Sequence, residues 1–178
     1  MMGHTHVTGG ALAGLAVSYG SGLGLEGAAA LTIGAIATSK LPDVDARIIK
    51  GPDHRSFPHT VIPGEGAAVM LALFLYVWLS ANSARVSVGP LGEEVELLAP
   101  GAALGYLTHL VLDASTKSGI WLLIPKDRRV GLPRKYAVRT GGPTELLISG
   151  GMALVALALG LAVFSPALGG MDFLYGTN

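Results

Sequence analysis

Histidine and carboxylate groups are the side chains of this sequence that could do chemistry. The chain has five histidines and no cysteine, which excludes disulfides, thiolate zinc sites and cysteine nucleophiles and leaves imidazole and carboxylate groups as metal ligands. His109 and Asp113 are four residues apart in an apolar segment, so they share one helical face, which Thr116 continues. A membrane-embedded acid costs roughly 2.5–3.5 kcal/mol at the helix centre and usually has a partner. The spacing therefore predicts a cation held by His109 and Asp113.

Two further groups of candidate ligands lie nearer the N-terminus. In the segment Leu41-Pro42-Asp43-Val44-Asp45 the proline is expected to stop a helix, and the two aspartates alternate in a predicted extended stretch that suits a bound cation. His54 and His59 bracket Arg55, immediately before a long apolar segment. An arginine at this place could hold a phosphate oxygen through two hydrogen bonds.

Each candidate also has an interpretation without a ligand. Asp43, or Glu145 at the start of the last apolar segment, could simply cap a helix, and a single histidine at a membrane interface is often only tolerated there. Independent accidents would scatter such residues along the chain. The candidates instead converge from five segments, and this favours a shared metal site among all five histidines and four acids: His4, His6, His54, His59 and His109 with Asp43, Asp45, Asp113 and Glu145.

The elements that position these residues are apolar helices. Of the 178 residues, 51% are hydrophobic and 13% are charged, against roughly a quarter charged in soluble domains. A bilayer core of about 30 Å needs roughly twenty helical residues. Three segments reach about that length and two shorter ones precede them: residues 61–81, 97–114 and 146–164, after residues 7–19 and 26–38.

The sequence predicts an all-α, polytopic membrane bundle of about five helices in a single domain, residues 1–178. The first two helices, joined by the glycine-rich turn 20–24, either span or form a re-entrant hairpin. In both cases residues 1–6, loop 39–60 and loop 115–145 share one side of the membrane. Gly10 with Gly14, and Gly101 with Gly105, are GxxxG pairs that allow close helix packing.

The charges predict which side this is. Of the twelve basic residues, all but Arg85 fall in loops 39–60 and 115–145. An excess of lysine and arginine marks cytoplasmic loops. We therefore expect a multi-pass protein of the inner or plasma membrane whose N-terminus and metal site are cytoplasmic. The basic residues 126–139 are read as topology determinants and lipid-headgroup contacts.

The order of these motifs resembles a known family, the membrane-bound metal-dependent hydrolases that include the LexA-binding inner-membrane hydrolase of enteric bacteria. The resemblance runs from about residue 5 to Glu145. It rests on Thr5-His6, the Leu-Pro-Asp-Val-Asp segment 41–45, His54-Arg55, His59-Thr60, Gly105-Tyr-Leu-Thr-His109, Asp113, Thr116, Gly119 and the Leu-Leu-Ile-Pro segment 122–125. His4 falls outside the pattern, and Pro58-His59-Thr60 replaces the usual Thr-His-Ser.

The family is similar, distantly, to zinc-dependent phospholipase C and the P1-type nucleases. That similarity implies a mainly helical fold with a phospholipase C-like metal site at one membrane face, in which the His109–Asp113 pair supplies ligands. The residues that match the family's other ligands are His6, Asp43, His54, His59 and Glu145, and Asp45 is also a predicted ligand. The implied function is hydrolysis of a phosphoester, including a phospholipid, by a metal-activated water. Asp45 or Asp113 would orient or deprotonate that water, and Arg55 would hold the phosphate.

The cofactor expected from these ligands is a divalent metal, with zinc favoured by imidazole and manganese or iron admitted by the carboxylates. Membrane lipids, a phosphoester substrate and a regulatory protein are the expected partners, and direct nucleic-acid binding is not expected. Two other functions stay open. A metal or ion transporter would place ligands near the bilayer midplane, and a non-catalytic scaffold would use the metal only for structure.

Overall fold

The computed structural model describes residues 1–44, 96–121 and 129–169. Its helices are α1 (Gly3–Gly20), α2 (Leu25–Thr38), α3 (Leu98–Ala114) and α4 (Pro143–Gly169), with a 3-10 helix over Leu41–Val44. Two short strands, β1 (Ile120–Trp121) and β2 (Arg129–Val130), pair in antiparallel fashion, with Ile120 opposite Val130. The predicted span 61–81 lies outside the described residues.

Helices α1 and α2 form the expected hairpin. Its turn contains Gly22 at φ 63°, a backbone angle that glycine adopts without strain. Helix α1 begins four residues before the predicted start at Val7, because His4, Thr5 and His6 form its first turn. These polar residues hid the beginning of the helix from a search for apolar residues.

Glycines let α1, α2 and α3 approach closely, as the GxxxG pairs predicted. A Cβ atom at Gly14 would lie 2.7 Å from Thr32 Cα, and one at Gly10 would lie 2.7 Å from the Ala35 carbonyl oxygen. A Cβ at Gly105 would collide with the same carbonyl oxygen from the α3 side. Helix α2 therefore packs closely against both α1 and α3, and no side chain fits between the helices at these glycines.

The segment after Pro42 corrects the sequence prediction. An extended stretch was expected around Asp43, whereas the structure has a 3-10 helix over Leu41–Val44. The Asp43 N–H donates to the Lys40 carbonyl at 3.1 Å, which continues the chain in a tighter turn beyond α2. Helix α2 ends at Thr38, before Pro42, and Pro42 itself lies in the 3-10 helix, so the proline does not force Asp43 into an extended conformation.

Helix α4 is long, apolar and largely uncovered in the described part of the chain. It packs against α1, but Leu147 is 77% exposed and Leu154 is 71% exposed. Within the described residues, the stretch Pro143–Ser165 is the one that has the length and composition to cross a membrane. The predicted span at 146–164 lies inside it, and Pro143 occupies the first turn, where proline is tolerated.

A small apolar core fixes α3 to the strand pair. Tyr106, Leu110 and Ile120 are buried together, with Val130 packed against them. Since Tyr106 and Leu110 flank His109 in sequence, this core also sets the position of the C-terminal half of α3.

Candidate metal centre

Four of the predicted ligands meet where α1 begins and α2 and α3 end. His6 comes from the first turns of α1, Asp43 from the 3-10 helix after α2, and His109 and Asp113 from the last turns of α3. Ligand atoms of His6, Asp43 and His109 all lie within 4.8 Å of one another, the spacing of groups that could share one metal ion. His6, His109 and Asp113 are buried.

The two imidazole rings and Asp113 are in direct contact. The rings of His6 and His109 are stacked, with centroids 3.7 Å apart and planes 15° from parallel. Asp113 Oδ1 lies 3.4 Å from His6 Nε2, and Asp113 Oδ2 lies 3.7 Å from His109 Nε2. On its other side His109 Nε2 is 3.8 Å from Asp43 Oδ1.

The hydrogen bond at His109 Nδ1 determines what its other nitrogen can do. Nδ1 lies 2.6 Å from the Ser39 carbonyl oxygen, and a carbonyl only accepts, so Nδ1 carries the proton. In the neutral ring the lone pair is then on Nε2, the nitrogen that faces Asp43 and Asp113. A lone pair directed at two carboxylates is unfavourable unless a proton or a metal ion lies between them. The donor set thus fits a cation, and the Ser39 carbonyl has the orienting role common around metal-bound histidines.

The Asp113 carboxylate already contacts a positively charged group in the structure. The α-ammonium group of Met1 pairs with Asp113 Oδ1, and the contact is buried. His6 Nδ1, in contrast, is buried with no hydrogen-bond partner among the described residues. The buried part of the cluster is therefore polar and already accommodates a positive charge.

Glu145 lies at the start of α4 and ties it to α1. Its Oε1 accepts hydrogen bonds from the Met2 N–H at 2.6 Å and the Thr5 hydroxyl at 2.8 Å, and its Oε2 accepts one from the Gly141 N–H at 2.6 Å. These bonds hold the first turn of α1, and with it His6. A role for Glu145 as a metal ligand stays a prediction.

Among the described residues, the cluster is more exposed on the side of Asp43 than elsewhere. The Asp43 side chain is 39% exposed, whereas those of His109 and Asp113 are 0% and 2% exposed. Among these three side chains, that of Asp43 is therefore the one that solvent reaches most.

Sequence reasoning found some of this site and missed some. His4 is exposed and takes no part in the cluster, as expected. The Ser39 carbonyl and the Thr5 hydroxyl were missed as positioning groups. A backbone carbonyl has no sequence signal, although Thr5 stands next to His6 in the motif. Asp45, His54, Arg55 and His59 lie outside the described residues, so their predicted roles stay predictions.

Comparison with known proteins decides the family. The sequence profile of the YdjM inner membrane protein family matches residues 1–171. This chain belongs to the YdjM inner membrane protein family. The match confirms the expected membrane-protein family and membrane location. The uncharacterized protein YvsG of Bacillus subtilis (strain 168) is 28% identical over 167 residues, covering 88% of this chain and 92% of its own length. No solved structure matches this YdjM family member.

Proposed function

We propose that this protein is a membrane-bound, metal-dependent hydrolase that cleaves a phosphoester at the cytoplasmic face of the membrane. The observation that carries the proposal is the orientation of His109. Its Nδ1 is held by the Ser39 carbonyl, so its Nε2 lone pair faces Asp43 and Asp113. A buried group arranged in this way is suited to a divalent cation.

His6, Asp43, His109 and Asp113 would hold the metal, with Asp45, His54, His59 and Glu145 as further predicted ligands. Two imidazoles with two carboxylates suit zinc, and manganese or iron also bind such sets. When bound, a metal of this kind supplies a water whose pKa is lowered to about 7 and polarises the phosphoryl oxygen.

The protein's own groups have separable tasks. Asp113 is buried against the Nε2 atoms of both histidines, where its carboxylate would balance the charge of a bound metal. Asp43 lies at the exposed edge, where its carboxylate can accept a hydrogen bond from water that enters with the substrate. Either Asp45 or Asp113 is proposed to orient or deprotonate that water, and Arg55 is proposed to hold a phosphate oxygen.

The arrangement in the membrane is part of the proposal. The exposed apolar surface of α4 is suited to lipid. With the basic loops cytoplasmic, the N-terminus and the metal centre lie on the cytoplasmic side of a multi-pass protein. A phospholipid, whose phosphoester lies at this depth, is a substrate of the right chemistry.

The test compares the purified full chain with Asp113→Asn and Asp43→Asn on a chromogenic phosphodiester and on phospholipids, with bound metal measured in every sample. His4→Ala is the control because His4 is exposed. Hydrolysis by wild type and His4→Ala that is lost in both aspartate variants, at unchanged elution volume, supports the proposal.

Other outcomes contradict it. Activity that survives both aspartate substitutions points to a contaminating enzyme. Metal-loaded protein without hydrolysis points to a structural metal in a scaffold, and metal flux into liposomes without hydrolysis points to a transporter.

A further inference from the structure

An exposed basic turn lies between β2 and α4. We define the basic turn as residues 132–139, in which Arg134, Lys135 and Arg139 are all exposed. The Tyr136 and Ala137 N–H groups both donate to the Pro133 carbonyl, at 2.8 and 3.1 Å, which places Arg134 and Lys135 at the tip. Within the described part of the chain, no carboxylate forms an ion pair with these three basic residues.

Apolar and aromatic groups accompany these charges. Tyr136 is 66% exposed and Leu132 is 43% exposed. Lys135 Nζ lies 4.7 Å from the centre of the Tyr136 ring. Tyrosine together with lysine and arginine is typical of the boundary between bilayer and water, where the rings contact the acyl region and the charges contact headgroups.

The turn is held firmly against the helix that carries Asp113. The Leu132 N–H donates to the Ala114 carbonyl at 3.1 Å, and the Val138 N–H donates to the Ser115 carbonyl at 3.0 Å. Val138 and its neighbour Ala137 are buried. The backbone therefore fixes the orientation of the exposed tip relative to the end of α3.

The other end of the turn leads directly into the membrane-crossing candidate. Arg139 precedes Pro143, where that stretch begins, by four residues. The intervening Gly141 N–H is bound to Glu145 in the first turn of α4. With α4 across a bilayer, a turn this close to its end would lie at the level of the lipid headgroups.

We propose that the basic turn binds the anionic headgroups of phospholipids at the membrane surface where α4 enters the bilayer. The charge of the surrounding chain favours an anionic partner, since residues 115–142 contain seven lysines and arginines and one acidic residue, Asp127. Juxtamembrane basic clusters are attracted to anionic leaflets in this way. The binding does not depend on hydrolysis at the metal centre.

The test titrates the detergent-solubilised full chain with short-chain phosphatidylglycerol and, separately, phosphatidylcholine. The variant is the triple substitution R134Q/K135Q/R139Q, and R134K/R139K is the charge-preserving control. One basic residue contributes about fivefold in affinity for an anionic surface. We expect wild type to prefer phosphatidylglycerol, the triple variant to bind it roughly 100-fold more weakly, and the control to bind it as wild type does.

Three results would overturn the proposal. One is a wild type with no preference for the anionic lipid, and another is a triple variant that keeps the preference. The third is displacement of phosphatidylglycerol by equal concentrations of inorganic phosphate or a DNA oligonucleotide, which would identify a phosphate or nucleic-acid site. Equal elution volumes and unfolding temperatures check that the triple variant is folded. The bound metal of the triple variant separates this site from the proposed metal centre, because the three substitutions should leave the metal content unchanged.

Discussion

Replacing Gly105 by alanine should loosen the packing that positions the metal centre. A Cβ at this position would meet the Ala35 carbonyl oxygen and would lie 2.5 Å from Thr38 Oγ1. The carbonyl belongs to helix backbone and cannot rotate away, so α2 and α3 must separate. Ser39 follows the end of α2, and His109 lies on α3. The hydrogen bond between the Ser39 carbonyl and His109 Nδ1 orients His109, the proposed ligand.

The magnitude follows from two opposed terms. Overpacking typically costs about 1–3 kcal/mol, and a clash with backbone belongs at the upper end of that range. Alanine is better than glycine inside a helix by about 1 kcal/mol. The free energy of unfolding should therefore fall by about 2 kcal/mol, equivalent to a fall of roughly 4–8 °C in the unfolding temperature of a chain of this size.

The assay is thermal unfolding of the full chain in detergent, with metal affinity measured in parallel. Gly151→Ala in α4 is the matched control, since a Cβ there meets nothing within 4 Å among the described residues. It should keep or slightly raise the unfolding temperature. If Gly105→Ala unfolds at or above the wild-type temperature, the close contact of α2 with α3 is wrong.

Three further perturbations address the groups around the cluster. Glu145→Gln turns one acceptor oxygen into a donor beside N–H groups, so the free energy of unfolding should fall by about 1–3 kcal/mol. The control is Glu26→Gln, because Glu26 is exposed; this substitution should shift the unfolding temperature by less than about 2 °C. Thr38→Val removes the hydroxyl that donates to the Ala102 carbonyl at 2.7 Å. The free energy of unfolding should fall by about 0.6 kcal/mol, the average for such bonds between membrane helices, and a fall above about 2 kcal/mol would refute this assignment of an ordinary interhelical hydrogen bond. A chelator should lower the unfolding temperature and added metal should restore it, because an ion that binds only the folded chain stabilises it; an unchanged temperature would argue against a bound ion.

Much of the helical layout could be predicted from sequence. Apolar segment lengths located α3 and α4 to within a few residues at their starts. The glycine spacing in α1 and α3 predicted close helix packing, which the structure has between each of these helices and α2. The four-residue spacing of His109 and Asp113 placed them on one face, where the structure has them in contact. These inferences succeeded because helical periodicity alone determines them.

The rest depended on tertiary contacts that sequence spacing does not contain. Stacking of His6 on His109 requires the α1–α2 hairpin to bring residue 6 against α3. The Ser39 carbonyl, like every carbonyl, is invisible in a residue pattern. Glu145 was grouped with the metal ligands because of its place at the start of the last apolar segment and the family resemblance. Its hydrogen bonds to the beginning of α1 had no signal in the sequence, and its role as a ligand stays a prediction.

The most direct test of the metal centre is the metal content of His6→Ala compared with His4→Ala. Both are histidines of the first turns of α1, but His6 is buried against Asp113 and His4 is exposed. Elemental analysis of protein purified without chelators should find a divalent metal in wild type and His4→Ala, and a large loss in His6→Ala. Equal metal in the two variants, or none in wild type even after incubation with zinc, manganese or iron, would contradict the metal centre.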